Sequence, residues 1–246
     1  MASLYVAKQQ LRSAMKNKLG AIPQESTLSQ SSVVCNTLKT FKPYVEAKRV
    51  SVFLSMPTGE IQTDAIVRHA LESGKEVFVP YLHKNPLASS DLPVRVMDMV
   101  RLDSMRDYEA LEPDRWGIPS IDPATVHDRL RIFGGPDAHH SDKALLDLIL
   151  LPGVAFDRDP DTGAIRRLGH GKGFYDYFLD RHKAKSMALG KQESSPVLLY
   201  GLALSEQFLS SPSEGSVPVG PLDQPLDGLI LGNGEIKTPT GNKTAP

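Results

Sequence analysis

The feature that most constrains the fold is a set of short, almost continuous apolar runs that alternate with segments of helical periodicity. Residues 49–55, RVSVFLS, are rich in β-branched and aromatic residues, and residues 147–151 form the most apolar run. Such runs are typical of strands covered on both faces, as in a parallel sheet between helices. The remaining strands are predicted at 76–80, 94–101, 197–203 and 226–231. The sequence therefore predicts an α/β fold with three layers, α/β/α, and a largely parallel sheet.

Helical patterns fill the intervals between these runs. They predict helices over 4–20, over 28–41 with Ser26 as its cap, over 63–73 with Gly74 as the stop, and over 173–181. We expect a single domain over 1–232, with an N-terminal helical segment. Polar stretches predict loop insertions near 84–93, 133–143 and 183–196, and a disordered tail over 233–246.

Charge and cysteine content limit the classes of partner and the compartment. The 28 basic and 29 acidic residues nearly cancel, so no net field draws the protein to nucleic acid or to a membrane surface. Cys35 is the only cysteine, which excludes an intrachain disulfide and suits a reducing compartment. We expect a cytoplasmic protein that acts on small molecules.

The N-terminal segment leaves a second location open. Residues 1–24 carry basic residues and no acidic one, a pattern that partly fits a mitochondrial presequence. We prefer an amphipathic first helix that ends at Gly20 and exposes its basic side chains. A mitochondrial location remains the alternative.

The segment Arg167–Asp176, RLGHGKGFYD, is the strongest functional motif. Gly169, Gly171 and Gly173 alternate with other residues, which allows backbone N–H groups to approach an anion closely. The segment fits neither the P-loop, which needs Gly-Lys-Ser/Thr, nor the dinucleotide fingerprint, which needs a glycine where Phe174 stands. We interpret it as a phosphate-binding loop between the strand near Leu151 and the following helix, with 157–166 as a polar linker outside the core.

Around this loop, residues 151–179, LPGVAFDRDPDTGAIRRLGHGKGFYDYFL, resemble the motif of the 5-formyltetrahydrofolate cyclo-ligase family, also called 5,10-methenyltetrahydrofolate synthetases. The resemblance extends in order from Lys8 to Leu231. It includes FLSMPTGEIQT at 53–63, GKEVFVP at 74–80, WGIP at 116–119, GLALSEQ at 201–207 and VPVGPLDQPLDGLI at 217–230.

The resemblance implies a reaction. Members of the family use ATP to convert 5-formyltetrahydrofolate into 5,10-methenyltetrahydrofolate, with release of ADP and phosphate. The formyl oxygen is a poor leaving group, so it first receives the γ-phosphoryl group; N10 then attacks that carbon and phosphate departs as the ring closes. The enzyme must align ATP with the formyl oxygen and neutralise the transferring charge. The resemblance implies ATP as co-substrate, Mg²⁺ as cofactor, and a reduced folate as substrate of a monomer.

Site residues also follow from the resemblance, position by position. Catalytic roles correspond to Arg167, Lys172 and Tyr175. ATP contacts correspond to Lys8, Arg12, Arg167, Leu168, Gly169, His170, Gly171, Lys172, Gly173, Phe174 and Tyr175. Folate contacts correspond to Leu54, Glu60, Trp116, His170, Gly171, Lys172, Gly173 and Phe174, and magnesium ligands to Asp176 and Asp223. Phe174 stands where relatives often have tyrosine, so a hydroxyl donor is absent there.

Residue types alone leave other interpretations open. Without the resemblance, the same positions are typical of a solvated basic stripe (Lys8, Arg12), an exposed loop acid (Glu60), a first-turn carboxylate (Asp176), a turn residue (Asp223) and a packing residue (Trp116). Two other functions also remain open: a different small-molecule phosphotransferase, and a non-catalytic paralogue that binds folate or nucleotide.

Overall fold

The computed structural model describes residues 3–85, 93–134, 144–190 and 196–240. Within these residues the α-helices are α1 (Leu4–Gly20), α2 (Gln24–Thr40), α3 (Lys42–Glu46), α4 (Asp64–Glu72), α5 (Met105–Glu109) and α6 (Phe174–Ala188). The strands are β1 (Arg49–Val52), β2 (Glu76–Lys84), β3 (Arg95–Arg101), β4 (Glu112–Pro113), β5 (Pro119–Ser120), β6 (Leu148–Leu151), β7 (Ala155–Arg158), β8 (Ile165–Leu168), β9 (Leu198–Ala203), β10 (Phe208–Leu209), β11 (Gly228–Leu231) and β12 (Ile236–Lys237).

A seven-stranded sheet forms the centre of the fold, in the order β12-β11-β9-β6-β1-β2-β3. The five inner strands pair in parallel, whereas β3 and β12 pair antiparallel at the two edges. A second sheet, β10-β7-β8, carries the chain from β6 toward α6. The predicted largely parallel α/β sheet is confirmed.

Alternate residues of the inner strands face two separate apolar clusters. In β6, Leu148 and Leu150 pack in the cluster that contains residues of α1, α2 and α4. Ile149 and Leu151 pack in the cluster that contains Phe178 of α6 and residues of the second sheet. Because successive side chains of a strand point to opposite faces, helices cover both sides of the sheet. This arrangement is the expected three-layer α/β/α architecture.

Several boundaries differ from the predictions. Helix α2 begins at Gln24 with Pro23 at the N-cap position, so Ser26 lies in the first turn and is not the cap. Helix α6 runs to Ala188, so 183–188 is helical and not a loop. Its side chains Lys, Ala and Met favour helix, and buried His182 ties this half of α6 to the core by accepting the Leu146 N–H at 3.1 Å.

The polar segment after β6 is a β-hairpin and not a linker outside the core. Strands β7 and β8 pair antiparallel, with Asp157 opposite Arg166. Ala155, Phe156 and Ile165 are buried. The turn residues of this segment lie in the short connection at 159–164, and the phosphate-loop motif therefore begins on β8.

The C-terminal residues also depart from the expectation. Within the predicted disordered tail, β12 pairs antiparallel with β11. The cores of the predicted insertions, 86–92, 135–143 and 191–195, and the final residues 241–246 lie outside the described residues. None of the helices in the described ranges combines the length and the apolar character needed to cross a bilayer.

Candidate active site

The glycine loop, defined here as residues 169–173, connects β8 to α6. Gly171 has φ +99° and Gly173, at the N-cap position of α6, has φ +67°. Residues that carry a side chain rarely adopt a positive φ, so these two positions favour glycine. The loop thus ends at the N-terminus of a 15-residue helix, where free N–H groups and the helix dipole favour an anion.

Arg167, at the end of β8, is buried beneath this loop. It donates to Asp176 Oδ1 at 3.0 Å and to the Pro152 carbonyl at 3.3 Å. Its guanidinium carbon lies 5.5 Å from the ring centroid of Tyr175. A Cβ at Gly169 would lie 3.0 Å from the guanidinium, so the absence of a side chain there makes room for Arg167. The Nε atom of Arg167 has no partner among the described residues.

Helix α1 supplies two more cations to the same place. Arg12 Nε donates to the Gly169 carbonyl at 2.9 Å, and the guanidinium lies against Gly171, where a Cβ would come within 3.1 Å of it. One turn earlier, Lys8 Nζ lies 2.7 Å from Asp223 Oδ1. The structure therefore joins the N-terminal helix to the glycine loop and to the C-terminal segment that carries Asp223.

Glu60 occupies the opposite side of the site and is buried, with only 4% of its surface exposed. The interpretation as an exposed loop acid is therefore wrong. Its Oε1 accepts the Met56 N–H at 2.7 Å. Burial raises the pKa of Glu60 to about 7, and the Met56 hydrogen bond opposes that rise.

A hydrogen-bonded loop over residues 53–63 holds Glu60 in place. Thr63 Oγ1 donates to the Phe53 carbonyl at 2.7 Å, and the Gln62 amide donates to the carbonyls of Met56 and Glu60, each at 3.0 Å. Leu54, in the same loop, is buried. The carboxylate thus sits on a fixed backbone.

His170 connects the two sides. Its Nε2 lies 4.0 Å from Glu60 Oε2, and its side chain is half exposed. Burial lowers the pKa of His170, and the positive charges of Arg167 and Arg12 lower it further. Burial also raises the pKa of Tyr175, with Arg167 acting against and Glu60 adding to that rise. Both shifts favour the uncharged form of the side chain.

Trp116 lies on a turn next to the Glu60 loop. A Cβ at Gly117 would lie 2.7 Å from the Pro57 ring, so this turn packs directly on the residue three positions before Glu60. The indole is 52% exposed, and the Arg115 guanidinium lies 3.9 Å from its ring centroid. The indole is therefore an accessible surface and not a packing residue.

The remaining predicted residues differ in their surroundings. Leu168 is buried, Phe174 is half-buried, and Lys172 is exposed in the loop. Asp176 lies in the first turn of α6 and pairs with Arg167, and Asp223 pairs with Lys8 and accepts the Gly220 N–H at 2.6 Å. In the described ranges, no group of three or more His, Cys, Asp or Glu side chains converges as a metal cluster.

An ion-pair network beneath the loop was not predicted. Arg166 binds Asp157 and, at 2.6 Å, Asp159, while Asp157 accepts the Val217 N–H at 2.8 Å. This network ties the hairpin to the segment that carries Asp223. The sequence signal was the placement of Asp157 and Asp159 before a Thr-Gly turn and of Arg166 after it, which indicates cross-strand pairing.

Comparisons with known proteins agree with this architecture. A sequence model described as the 5-formyltetrahydrofolate cyclo-ligase family matches residues 5–232. A Caenorhabditis elegans protein named probable 5-formyltetrahydrofolate cyclo-ligase is 37% identical over 234 residues, which cover 94% of this chain and 95% of the relative. The Mus musculus 5-formyltetrahydrofolate cyclo-ligase is 32% identical over 224 residues, covering 91% of this chain and 93% of the relative.

A solved structure shares the fold. The NMR structure of Aquifex aeolicus 5,10-methenyltetrahydrofolate synthetase superposes with a TM-score of 0.62 at 22% identity, and the match covers 97% of this chain and 96% of that one. Because the family model and the relatives match nearly the whole chain, this protein belongs to the 5-formyltetrahydrofolate cyclo-ligase family.

Proposed function

We propose that this protein catalyses the ATP-dependent conversion of 5-formyltetrahydrofolate into 5,10-methenyltetrahydrofolate, with release of ADP and phosphate. The observation that carries the proposal is the placement of one glycine loop between two chemically different surfaces. Arg12 and Arg167 flank the loop on one side, and buried Glu60 lies 4.0 Å from its His170 on the other. A phosphate donor and a reduced folate can therefore meet at this loop.

The nucleotide binds on the basic side of the loop in this proposal. Arg12, Arg167, Lys8 and Lys172 bind phosphate oxygens, together with the N–H groups of the loop. Guanidinium and ammonium groups at a helix N-terminus favour phosphate by both charge and hydrogen bonding. The Nε–H of Arg167 has no acceptor within the described residues, so it can donate to a phosphate oxygen.

The folate binds on the side of Glu60. A carboxylate accepts the paired amino and ring N–H groups along one edge of a pterin. Glu60 is suited to this contact because its loop is held by hydrogen bonds and its Oε2 accepts none within the described residues. Buried Leu54 contributes apolar surface to the pterin ring, and the exposed Trp116 indole offers a stacking face.

Phosphoryl transfer then follows from alignment. The γ-phosphoryl group moves to the formyl oxygen, N10 attacks the activated carbon, and phosphate leaves as the ring closes. Arg12 and Arg167, which flank the loop, neutralise charge on the transferring group and help to align the reacting atoms.

Magnesium fits the donors that are present. The ion takes oxygen ligands and usually binds through one or two carboxylates together with substrate phosphates and water. We propose Asp176 as that carboxylate, because it lies in the first turn of α6 beside the loop. When bound, the ion neutralises charge on the β- and γ-phosphates. Asp223 is already engaged by Lys8 and the Gly220 N–H, and we propose that it orients Lys8 rather than holding the ion.

Helix α1 stays with the working protein in this proposal. Arg12 contacts the glycine loop and Lys8 contacts Asp223, so removal of 1–24 as a presequence would take away part of the site. We propose a monomer located in the cytoplasm, with ATP and a reduced folate as its partners.

The test is the appearance of methenyl absorbance when the purified protein receives 5-formyltetrahydrofolate, ATP and Mg²⁺. We expect Lys172→Ala to raise the KM for ATP roughly tenfold or more, since a hydrogen bond to a charged group contributes about 1.5–3 kcal/mol. Glu60→Gln raises the KM for folate instead, because the amide replaces an acceptor by a donor. Product without ATP, or no product from the wild-type protein, contradicts the proposal.

A further inference from the structure

Ring closure requires a proton acceptor that the steps above do not supply. N10 of the folate carries a hydrogen when it attacks the phosphorylated carbon, and that hydrogen is absent from the methenyl product. This need follows from the proposed function and rests on it. A side chain that accepts the proton must be able to reach N10 of the bound folate, be accessible, and be in its unprotonated form beforehand.

Most groups at the site fail one of these conditions. Asp176 is paired with Arg167, and Lys172 is a cation. Tyr175 keeps its proton because burial raises its pKa. Glu60 is buried and accepts the Met56 N–H. In the proposed function its carboxylate is already used to bind the pterin edge.

His170 meets all three conditions. It lies in the middle of the glycine loop, its side chain is half exposed, and its Nε2 points within 4.0 Å of Glu60 Oε2. The titratable and charged groups that face it are Arg12 from α1, Arg167 from β8 and Glu60 from the 53–63 loop. Burial first, and then the two arginines, lower the pKa of the imidazole and favour its unprotonated form before reaction. Glu60, whose own pKa is about 7, lies 4.0 Å from Nε2 and stabilises the imidazolium when its carboxyl group is ionised.

We propose that His170 is the general base that removes the N10 proton during ring closure. The N10 lone pair forms the bond to the formyl carbon, and the N10–H bond breaks as its proton moves to an imidazole nitrogen of His170. The C–O bond to the phosphoryl group then breaks, its electron pair leaves with phosphate, and the N5–C–N10 amidinium remains. His170 afterwards releases its proton to water.

The experiment compares His170→Gln with the wild-type enzyme from pH 5 to pH 9. A positioned base contributes about 10²–10⁴-fold, so we expect kcat to fall by roughly 100-fold while both KM values change less than about threefold. We expect the acidic limb of the kcat profile to become shallower in His170→Gln, because the titration that remains in this range is that of Glu60, whose pKa is about 7. Rapid-quench measurement should show that the first turnover of ADP survives, while methenyl formation lags behind it.

The matched control is His127→Gln, which removes an exposed histidine outside the site and leaves kcat and its pH profile unchanged. A kcat of His170→Gln within twofold of the wild-type value overturns the inference and leaves the proposed function intact. No methenyl product from the wild-type enzyme overturns the proposed function itself. Should His170→Gln misfold, NMR titration of His170 in the wild-type protein decides: an imidazole that is already charged at pH 7 contradicts the role of base.

Discussion

At the scale of the residue, Glu60 shows how burial changes the chemistry of a common side chain. Its position in a Pro-Thr-Gly-Glu turn is typical of an exposed acid, yet its surface is almost fully covered. Residue type alone could not predict this burial. It depends on the conformation of the 53–63 loop, which hydrogen bonds within the loop hold in place. The family resemblance identified the position, and the structure supplies the reason why it differs from an ordinary glutamate.

The raised pKa of Glu60 makes stability depend on pH in a defined direction. The folded state binds a proton up to about pH 7, whereas the unfolded glutamate releases it near 4.5. The unfolding free energy contributed by this group is therefore fully present below pH 4.5 and is lost as pH rises through 7. Relative to wild type, Glu60→Gln should gain up to about 3 kcal/mol of stability across this window.

Urea unfolding of wild type and Glu60→Gln at pH 5 and pH 8 measures this difference. Glu112→Gln, on an exposed strand, is the control and should follow the wild type at both values. Parallel pH dependence in wild type and Glu60→Gln would show that Glu60 ionises at its ordinary pKa.

At the scale of the element, the glycine loop is built by the hairpin before it and the helix after it. The alternation of glycines predicted the phosphate-binding character of the loop. The pattern could not show that Arg167 lies on a strand, because the polar residues of 157–166 are also typical of a linker. The structure shows that this segment forms two paired strands, with Asp157 opposite Arg166.

Two glycines of this loop should respond differently to the same substitution. Gly171 and Gly173 both have positive φ, so alanine at either position costs about 1–2 kcal/mol of stability. A Cβ at Gly171 also comes within 3.1 Å of the Arg12 guanidinium, whereas a Cβ at Gly173 meets nothing within 4 Å. Gly171→Ala should therefore displace Arg12 and raise the KM for ATP roughly tenfold, and Gly173→Ala should raise it much less.

Steady-state kinetics with varied ATP, together with thermal unfolding of both variants, separates the backbone cost from the displacement of Arg12. Equal KM values in the two variants would mean that Arg12 takes no part in nucleotide binding.

At the scale of the whole molecule, distant parts of the chain meet at one site. The helix and strand patterns were enough to predict the α/β class and the parallel sheet, and each predicted strand is present. The patterns could not predict which segments meet, because Lys8 pairs with a residue 215 positions away and Arg12 with one 157 positions away. The resemblance listed those residues, and the fold explains their convergence.

Nucleotide binding should stabilise helix α1 as well as the loop. In the proposed function, phosphates bind Lys8 and Arg12 and hold α1 in place, so we expect its backbone amides to exchange more slowly with deuterium when ATP and Mg²⁺ are present. Mass spectrometry of hydrogen exchange measures this protection. Helix α4, which carries none of the proposed phosphate contacts, provides the internal reference. Protection of α1 and α4 by the same factor would indicate global stabilisation and not a specific contact.

The bridging position of α1 also has a consequence during protein synthesis. This helix leaves the ribosome well before Gly169 and Asp223, which anchor its basic face and are translated later. Since contacts between distant segments form only after both have emerged, the basic face of α1 stays without these contacts until Gly169 and Asp223 have emerged. In the proposed function, the nascent chain is therefore unable to bind nucleotide with this face until Asp223 has emerged.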